Sequence, residues 1–382
     1  MKSRSIFSGF VFALILAVTA SVAVVVAVAV AVAGASYAGD KPLATVSHGE
    51  VCGGVFFTLG DSKYSGRMNF NDSYTVNFET STLGSEGGKE GGKEGGKEGG
   101  KEEGKEGGKE EGEGGGKKVK LARLYVYWVW SQNENVGVYP KMQVLASAGK
   151  RGKALNLDLD ATYTDTKGFV GKYDYFSGVN VYNCDLNLNT TSLNVVVKNE
   201  DANGSTFCVQ GVGLLVVYEC QGGEGGEEVC GGPNCQRIEY WVNEGCDMIF
   251  AEYGITPEMA TTKIYFDGEL DLKEVKQAFL TTVVPSGGYI SGGATSHNRL
   301  YFNDEEGWLS SLPLLKQLLR LLLGYGGGAW SDVYHSDNTV QIGLDQREVT
   351  DYLKVSNNFA AVQDNRDYMM VTNAVLVVEK VV

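Results

Sequence analysis

The stretch Leu121-Ala-Arg123-Leu-Tyr125-Val-Tyr127-Trp128-Val-Trp130 decides the fold. It is a run of valine and aromatic side chains, the types that fit a pleated sheet surface, and it reads as a buried strand. A counterpart lies 156 residues on, in Ala278-Phe-Leu280-Thr-Thr-Val283-Val284. A second pair of related runs is Gly213-Leu-Leu-Val-Val-Tyr-Glu219 and Asn373-Ala-Val-Leu-Val-Val-Glu379. Each half of the chain therefore begins with one such strand and ends with the other, as two successive sandwich units do.

Working outward, further strand candidates are Val55–Leu59, Tyr74–Glu79, Lys141–Ala146, Leu193–Lys198, Lys263–Phe266 and Arg299–Phe302. With 52 glycines, 20 tyrosines and only 6 prolines, the composition is that of strands joined by glycine turns. The expected fold class is mainly all-β: two antiparallel β-sandwich (jelly-roll-like) units, with one short Leu-rich helix inserted in the second. The first unit spans 39–220, a Gly/Cys-rich seam 221–235, and the second unit 236–382.

The amino terminus runs from Lys2 and Arg4 through an apolar stretch, Ile6 to Ala33, to the small residues Ser36 and Ala38. Positive, apolar, small is the order of a secretory signal, here residues 1–38, with cleavage leaving Gly39 first. An uncleaved anchor is the alternative, since the run is long enough to span a bilayer as a helix. Either way the remainder is exported. The net charge is −14, and −16 once Lys2 and Arg4 are gone. That balance repels nucleic acid and anionic lipid head groups, so neither is an expected partner.

Seven cysteines in an exported chain read as disulfides. Cys184, Cys208, Cys220, Cys230, Cys235 and Cys246 are the candidates for internal bonds, and Cys52, far from them in sequence, for a bond between chains. A zinc site in the last four lacks paired CxxC knuckles and a nearby histidine. Asn71, Asn189 and Asn203 open N-x-S/T triplets in polar, turn-like contexts and are candidate glycan sites.

Two segments stand apart. Residues 84–118 repeat Gly-Gly-Lys-Glu and hold no apolar side chain to build a core, so a hydrated coil with a span of about 30–35 Å is expected. Residues 308–329 carry Ser311-Leu-Pro313 and then Leu314 to Leu323 before Gly324, the signals of a helix with a nearly all-leucine circumference.

No HExxH, GxSxG or Cys-His signature accompanies His48, His297 and His335, which read as loop histidines. Carboxylates recur at strand spacing in Asp158 and Asp160, and cluster in Asp267, Glu269 and Asp271. These are candidate calcium ligands, and the first two also have the spacing of a glycosidase pair. No other cofactor is expected. Trp128, Trp130, Tyr139, Tyr173, Tyr175 and Trp330 are candidates for a sugar-stacking face, with core packing as the plainer role.

The segments His48–Gly54, Ala122–Trp128, Gly211–Glu219, Ile238–Asp247, Val349–Leu353 and Asn373–Glu379 resemble a family of extracellular surface proteins of methanogenic archaea. The resemblance implies a β-sandwich architecture and a surface location, and carries no activity or catalytic residues. It also points to the disulfide-linked sheaths that enclose some methanogens. The function expected is a structural component of an archaeal cell envelope, sheath or surface layer, and not an enzyme. It would polymerise with itself through sheet edges, Ala374–Val378 first among them, with other envelope components or glycans as further partners. A secreted carbohydrate-binding or adhesin module is the alternative.

Two outcomes are expected of the exported protein. Amino-terminal sequencing should return Gly39, against Met1 for an unprocessed chain. Amide exchange should show no protection across the Gly-Gly-Lys-Glu tract.

Overall fold

The computed structural model describes residues 37–80, 116–149, 152–165, 176–186, 191–221, 230–231, 235–252, 254–288, 298–304 and 327–381. Residues 1–36 of the signal segment, most of the 84–118 tract, Asn189, His297, Tyr173, Tyr175 and the expected Leu-rich helix lie outside these residues. Among them, the chain is all-β.

The first half supplies β1 (Ala44–Thr58), β2 (Arg67–Met68), β3 (Ser73–Glu79), β4 (Lys117–Asn133), β5 (Val136–Gly137) and β6 (Met142–Ala148). It continues through β7 (Leu155–Asn156), β8 (Leu159–Thr164), β9 (Phe176–Asn183), β10 (Ser192–Asn199) and β11 (Thr206–Cys220). The second half supplies β12 (Gln236–Ile249), β13 (Thr261–Glu269), β14 (Val275–Pro285) and β15 (Arg299–Phe302). After these come β16 (Gly328–Ser331), β17 (Ile342–Glu348), β18 (Ser356–Gln363) and β19 (Met369–Lys380). Among the described residues the single helical element is a 3-10 turn, Thr350–Tyr352.

The pairing order makes the duplication visible. In the first half β1-β11-β4-β9 form one sheet and β3-β10-β6-β7 another; in the second, β12-β19-β14-β17 and β13-β18-β15-β16 repeat both orders. Eight strands of each half make an antiparallel jelly roll with two Greek keys, and the first half adds β2, β5 and, beyond β9, β8. The related runs of the sequence occupy the paired strands β4/β11 and β14/β19. Leu214 faces Leu124, whereas its counterpart Ala374 faces Thr282, the counterpart of Val126. The register has thus slipped by two residues, which keeps every side chain on its own face.

The two large sheets are one. β1 pairs with β11 through Gly53–Thr58 and with β12 through Ala44–Gly53, giving 11 strands in a continuous sheet. Gly53 stands opposite Glu219 on one side and Gln236 on the other. A Cβ at Gly53 would lie 1.8 Å from the Tyr218 carbonyl oxygen, so only glycine allows the close approach there.

Three apolar layers follow from strand alternation. Ala122, Leu124, Val126 and Trp128 face the β3-β10-β6 sheet. Leu280, Leu376 and Val378 face the β13-β18-β15 sheet. The opposite faces of both halves, with Tyr125, Leu215, Tyr240 and Val375, share a third core. Tyr127 on β4 donates to Asn373 Oδ1 on β19 over 2.7 Å, although four strand intervals, about 19 Å in a flat sheet, separate them. The central sheet therefore curves back so that its two halves pack face to face.

One expectation is corrected. Ala374–Val378 is not an edge: β19 lies between β12 and β14, and most of its side chains are buried. A nearly all-apolar run signals burial on both faces as readily as it signals an edge. At the amino end, Tyr37 packs edge-on against Phe250 and Tyr368, at 6.1 and 5.6 Å, so the fold holds a residue that cleavage before Gly39 would remove.

Gly53→Ala is expected to lower stability by about 1–3 kcal/mol, as overpacking does, and to lower it for both halves together. Thermal unfolding followed by circular dichroism checks this; a loss below about 0.5 kcal/mol would contradict the crowding at Gly53.

Candidate functional site

The charged centre of the molecule lies between the two halves. β4 projects Arg123 and Tyr125 into the shared core, and β12 brings Glu244 to meet them. Arg123 donates twice to Glu244, Nε to Oε1 over 2.5 Å and Nη2 to Oε2 over 2.9 Å. Tyr125 donates to the same Oε1 over 2.7 Å. The rest of the guanidinium reaches Asp160 at 2.9 Å and Asn183 at 3.2 Å. Both lone-pair sets of the buried carboxylate are served, which is the condition under which an interior ion pair is tolerated.

Burial, and then the charge of Glu244, pushes Tyr125 well above its ordinary range; the same two causes take Tyr163 to about 12. These phenols stay protonated and act as donors, not as bases. The arrangement holds two halves together and presents no nucleophile with a matched base.

A second network crosses β1, β12 and β19 at one end. Lys380 bridges Glu50 and Glu239, the latter at 2.8 Å, and Glu239 also meets His48 Nε2 at 2.9 Å. The Lys380 hydrogen bond holds Glu50 below its ordinary value of 4.5. His48 differs from its expected loop setting: it sits on β1 and stacks on Trp241, ring centroids 4.5 Å apart. His335 is exposed.

Cys220, Cys230 and Cys235 form internal bonds as expected, and the other cysteines are placed differently. Cys52 bonds Cys230 within the chain, so it is not an interchain link. Cys220 bonds Cys235 across the 221–235 connection, Cα atoms 5.8 Å apart. Cys184, Cys208 and Cys246 form no disulfide and are buried. Each fills apolar space as a small hydrophobe: Cys208 faces Val129 across β11 and β4, and burial takes the Cys184 thiol to about 11. Bridges of this kind belong to an oxidising compartment.

The carboxylate candidates are not gathered into a site. Asp160 is committed to Arg123, Asp158 is exposed nearby, and Asp271 accepts from the Lys273 amide in a turn. Asp267, Glu269 and Asp271 are all exposed. A group that sequence spacing does not reveal is Asp40, Asp165 and Asp247, whose oxygens lie within 4.8 Å of one another. It has the donor set of a hard-cation site, but Lys41 already reaches Asp165 at 2.7 Å and supplies positive charge there.

Of the aromatic candidates, Trp128 is fully buried in the first unit, and Trp330 lies in the second under Arg347, 4.3 Å away. Trp130 and Tyr139 are exposed, Tyr139 beside Phe176 at 4.9 Å. They do not form one platform. Asn71 and Asn203 occupy exposed turns, although Ser205 of the second triplet is fully buried.

The chain belongs to the family described as "Protein of unknown function (DUF3344)", which it matches over residues 36–84 and 115–379. The gap between those spans falls in the Gly-Gly-Lys-Glu tract. No curated protein matches it. Among solved structures, the major capsid protein P2 from bacteriophage PM2 aligns over 86% of this chain and 98% of its own. The identity is 10% and the TM-score 0.20.

Two outcomes follow from the networks. Glu244→Ala should cost about 3–5 kcal/mol by stranding the buried guanidinium, and the double change Arg123→Met with Glu244→Leu should recover most of it. Equal losses in single and double variants, by denaturant unfolding, would contradict the pairing. A carboxylate held low stabilises above its unfolded value and loses that as pH falls, so stability should drop below about pH 4.5 and drop less in Lys380→Met.

Proposed function

We propose that the protein is a structural component of an extracellular envelope, a sheath or surface layer of an archaeal cell, and that it acts by self-association rather than by catalysis. The observation that carries this is the 11-stranded sheet. It ends in β8 and β17, each of which, among the described residues, pairs along one edge only. An edge strand offers a row of backbone groups to another chain. Leu159 on β8 and Leu344 on β17 are 53% and 40% exposed, so each edge also carries apolar surface.

Two edges at the two ends of one sheet form a heterologous contact, and heterologous contacts close into rings or continue as filaments. The intrachain disulfides support the same reading differently from a covalent junction. They clamp the connection that joins the two jelly rolls, so each subunit resists unfolding while the contacts between subunits stay non-covalent.

Purified protein at rising concentration should form rings, sheets or filaments visible by electron microscopy. Gln346→Pro in β17 should abolish them, because proline removes a ladder donor and adds bulk at the edge. Wild-type protein that stays monomeric at millimolar concentration, or assembles unchanged with Gln346→Pro, would overturn the reading.

A further inference from the structure

The outer face of the β13-β18-β15 sheet carries a trough of about 720 Å³, within the usual size of a small-ligand site. Its shape follows from side-chain size. Ala361, at the middle of the central strand β18, is flanked by Lys263 on β13 and Tyr301 on β15. A methyl group between two long side chains leaves a depression. Two residues along, on the same face, Tyr265 stands opposite Phe359, ring centroids 6.3 Å apart, and Tyr265 is 46% exposed. Glu258 lines it as an exposed carboxylate, and Asp304 lines it as a buried one.

The first unit serves as an internal comparison, since its β3-β10-β6 sheet has the same strand order. Its outer face carries Thr75, Asn77, Asn194 and Val196, with Asn194 donating to Asn77 over 2.8 Å. There is no aromatic side chain in that set. The jelly roll therefore does not need Tyr265 and Phe359 on its outer face, and they are a property of the second unit alone.

The chemistry of the trough selects among ligands. β18 is hydrogen-bonded to β13 on one side and β15 on the other, so the floor offers an extended peptide no backbone partners. What it does offer is a half-exposed phenol ring, the Lys263 ammonium group and the exposed Glu258 carboxylate. Lys263 and Lys354 lie over the Phe359 ring, 6.0 and 5.7 Å from its centroid, and Glu258 lines the same trough, so a neutral polyhydroxyl ligand meets both donors and an acceptor there. An aromatic face takes the C–H side of a flat, apolar-faced ring, and carboxylate and ammonium groups take its hydroxyls.

We propose that this trough binds a neutral saccharide chain, with a pyranose ring lying on Tyr265 and its hydroxyls bonded to Glu258 and Lys263. This site is separate from the edges β8 and β17, and it does not depend on self-association. A subunit with both features would hold the glycans of its own envelope.

The test is calorimetric titration of the full exported chain with tetrasaccharides of glucose, mannose, galactose and N-acetylglucosamine. At least one should bind saturably. Tyr265→Ala should weaken it about tenfold, the scale of one lost aromatic contact, with an unchanged melting temperature. Lys263→Ala should weaken it as well, and Asn194→Ala on the first unit should leave it unchanged. Binding of none of the four overturns the proposal, as does wild-type affinity in both Tyr265→Ala and Lys263→Ala. Heat that scales with protein concentration in the absence of sugar would assign the trough to a second copy of the chain, and that too overturns it.

Discussion

One strand pairing holds the architecture together. β1 begins the first jelly roll, yet more of its length is paired with β12 of the second than with β11 of its own. Two sandwiches joined by a linker would each keep an open edge at this strand. Here the first strands of both units close each other's edge, and the resulting sheet bends until its halves share a core. Gly53 is the point at which the pairing passes from one unit to the other, and the contact of the Tyr218 carbonyl with that position leaves no room for a side chain. The interior ion pair of Arg123 and Glu244 follows from the bend, since strands three intervals apart would otherwise hold these groups out of reach.

A buried ion pair is weak evidence for stability, because desolvation offsets its attraction, but breaking it by moving one partner away is costly. If the halves packed in another rotation, Arg123 would lose Glu244 while both charges remained out of water. Tyr125 and Tyr127 act similarly, because each phenol has one partner on the opposite half, Glu244 and Asn373. Apolar residues such as Leu215 and Val375 supply area to the same interface without choosing the angle. The disulfides add a local restraint where β11 ends and β12 begins. Cys220–Cys235 closes the connection, and Cys52–Cys230 ties it back to β1, so the two covalent bonds converge on the strands that carry the shared pairing.

Much of the strand content was legible because the strands facing two cores are long and apolar. Leu121–Trp130 and Gly213–Glu219 lie within β4 and β11, and Arg299–Phe302 coincides with β15. β12 was not legible as a strand. Its Glu239, Asn243, Glu244 and Asp247 look like surface residues, and all four are buried because each has a partner on another strand. β9 was hidden in the same way, by Asn180, which accepts from the Trp128 indole. Cys52 was misread because distance along the chain says nothing about distance across a sheet. The trough beneath Tyr265 had no signature at all: it depends on alanine at one cross-strand position, and single-sequence spacing does not mark a small residue as a floor.

The shared sheet and shared core make the two jelly rolls one cooperative structure. Native-state amide exchange of the full chain under increasing denaturant measures this directly, by comparing the opening free energies of β4 in the first half and β14 in the second. A shared sheet and core predict that both strands exchange through a single global opening with equal free energy. Separate openings, with one half exchanging while the other stays protected, would contradict it.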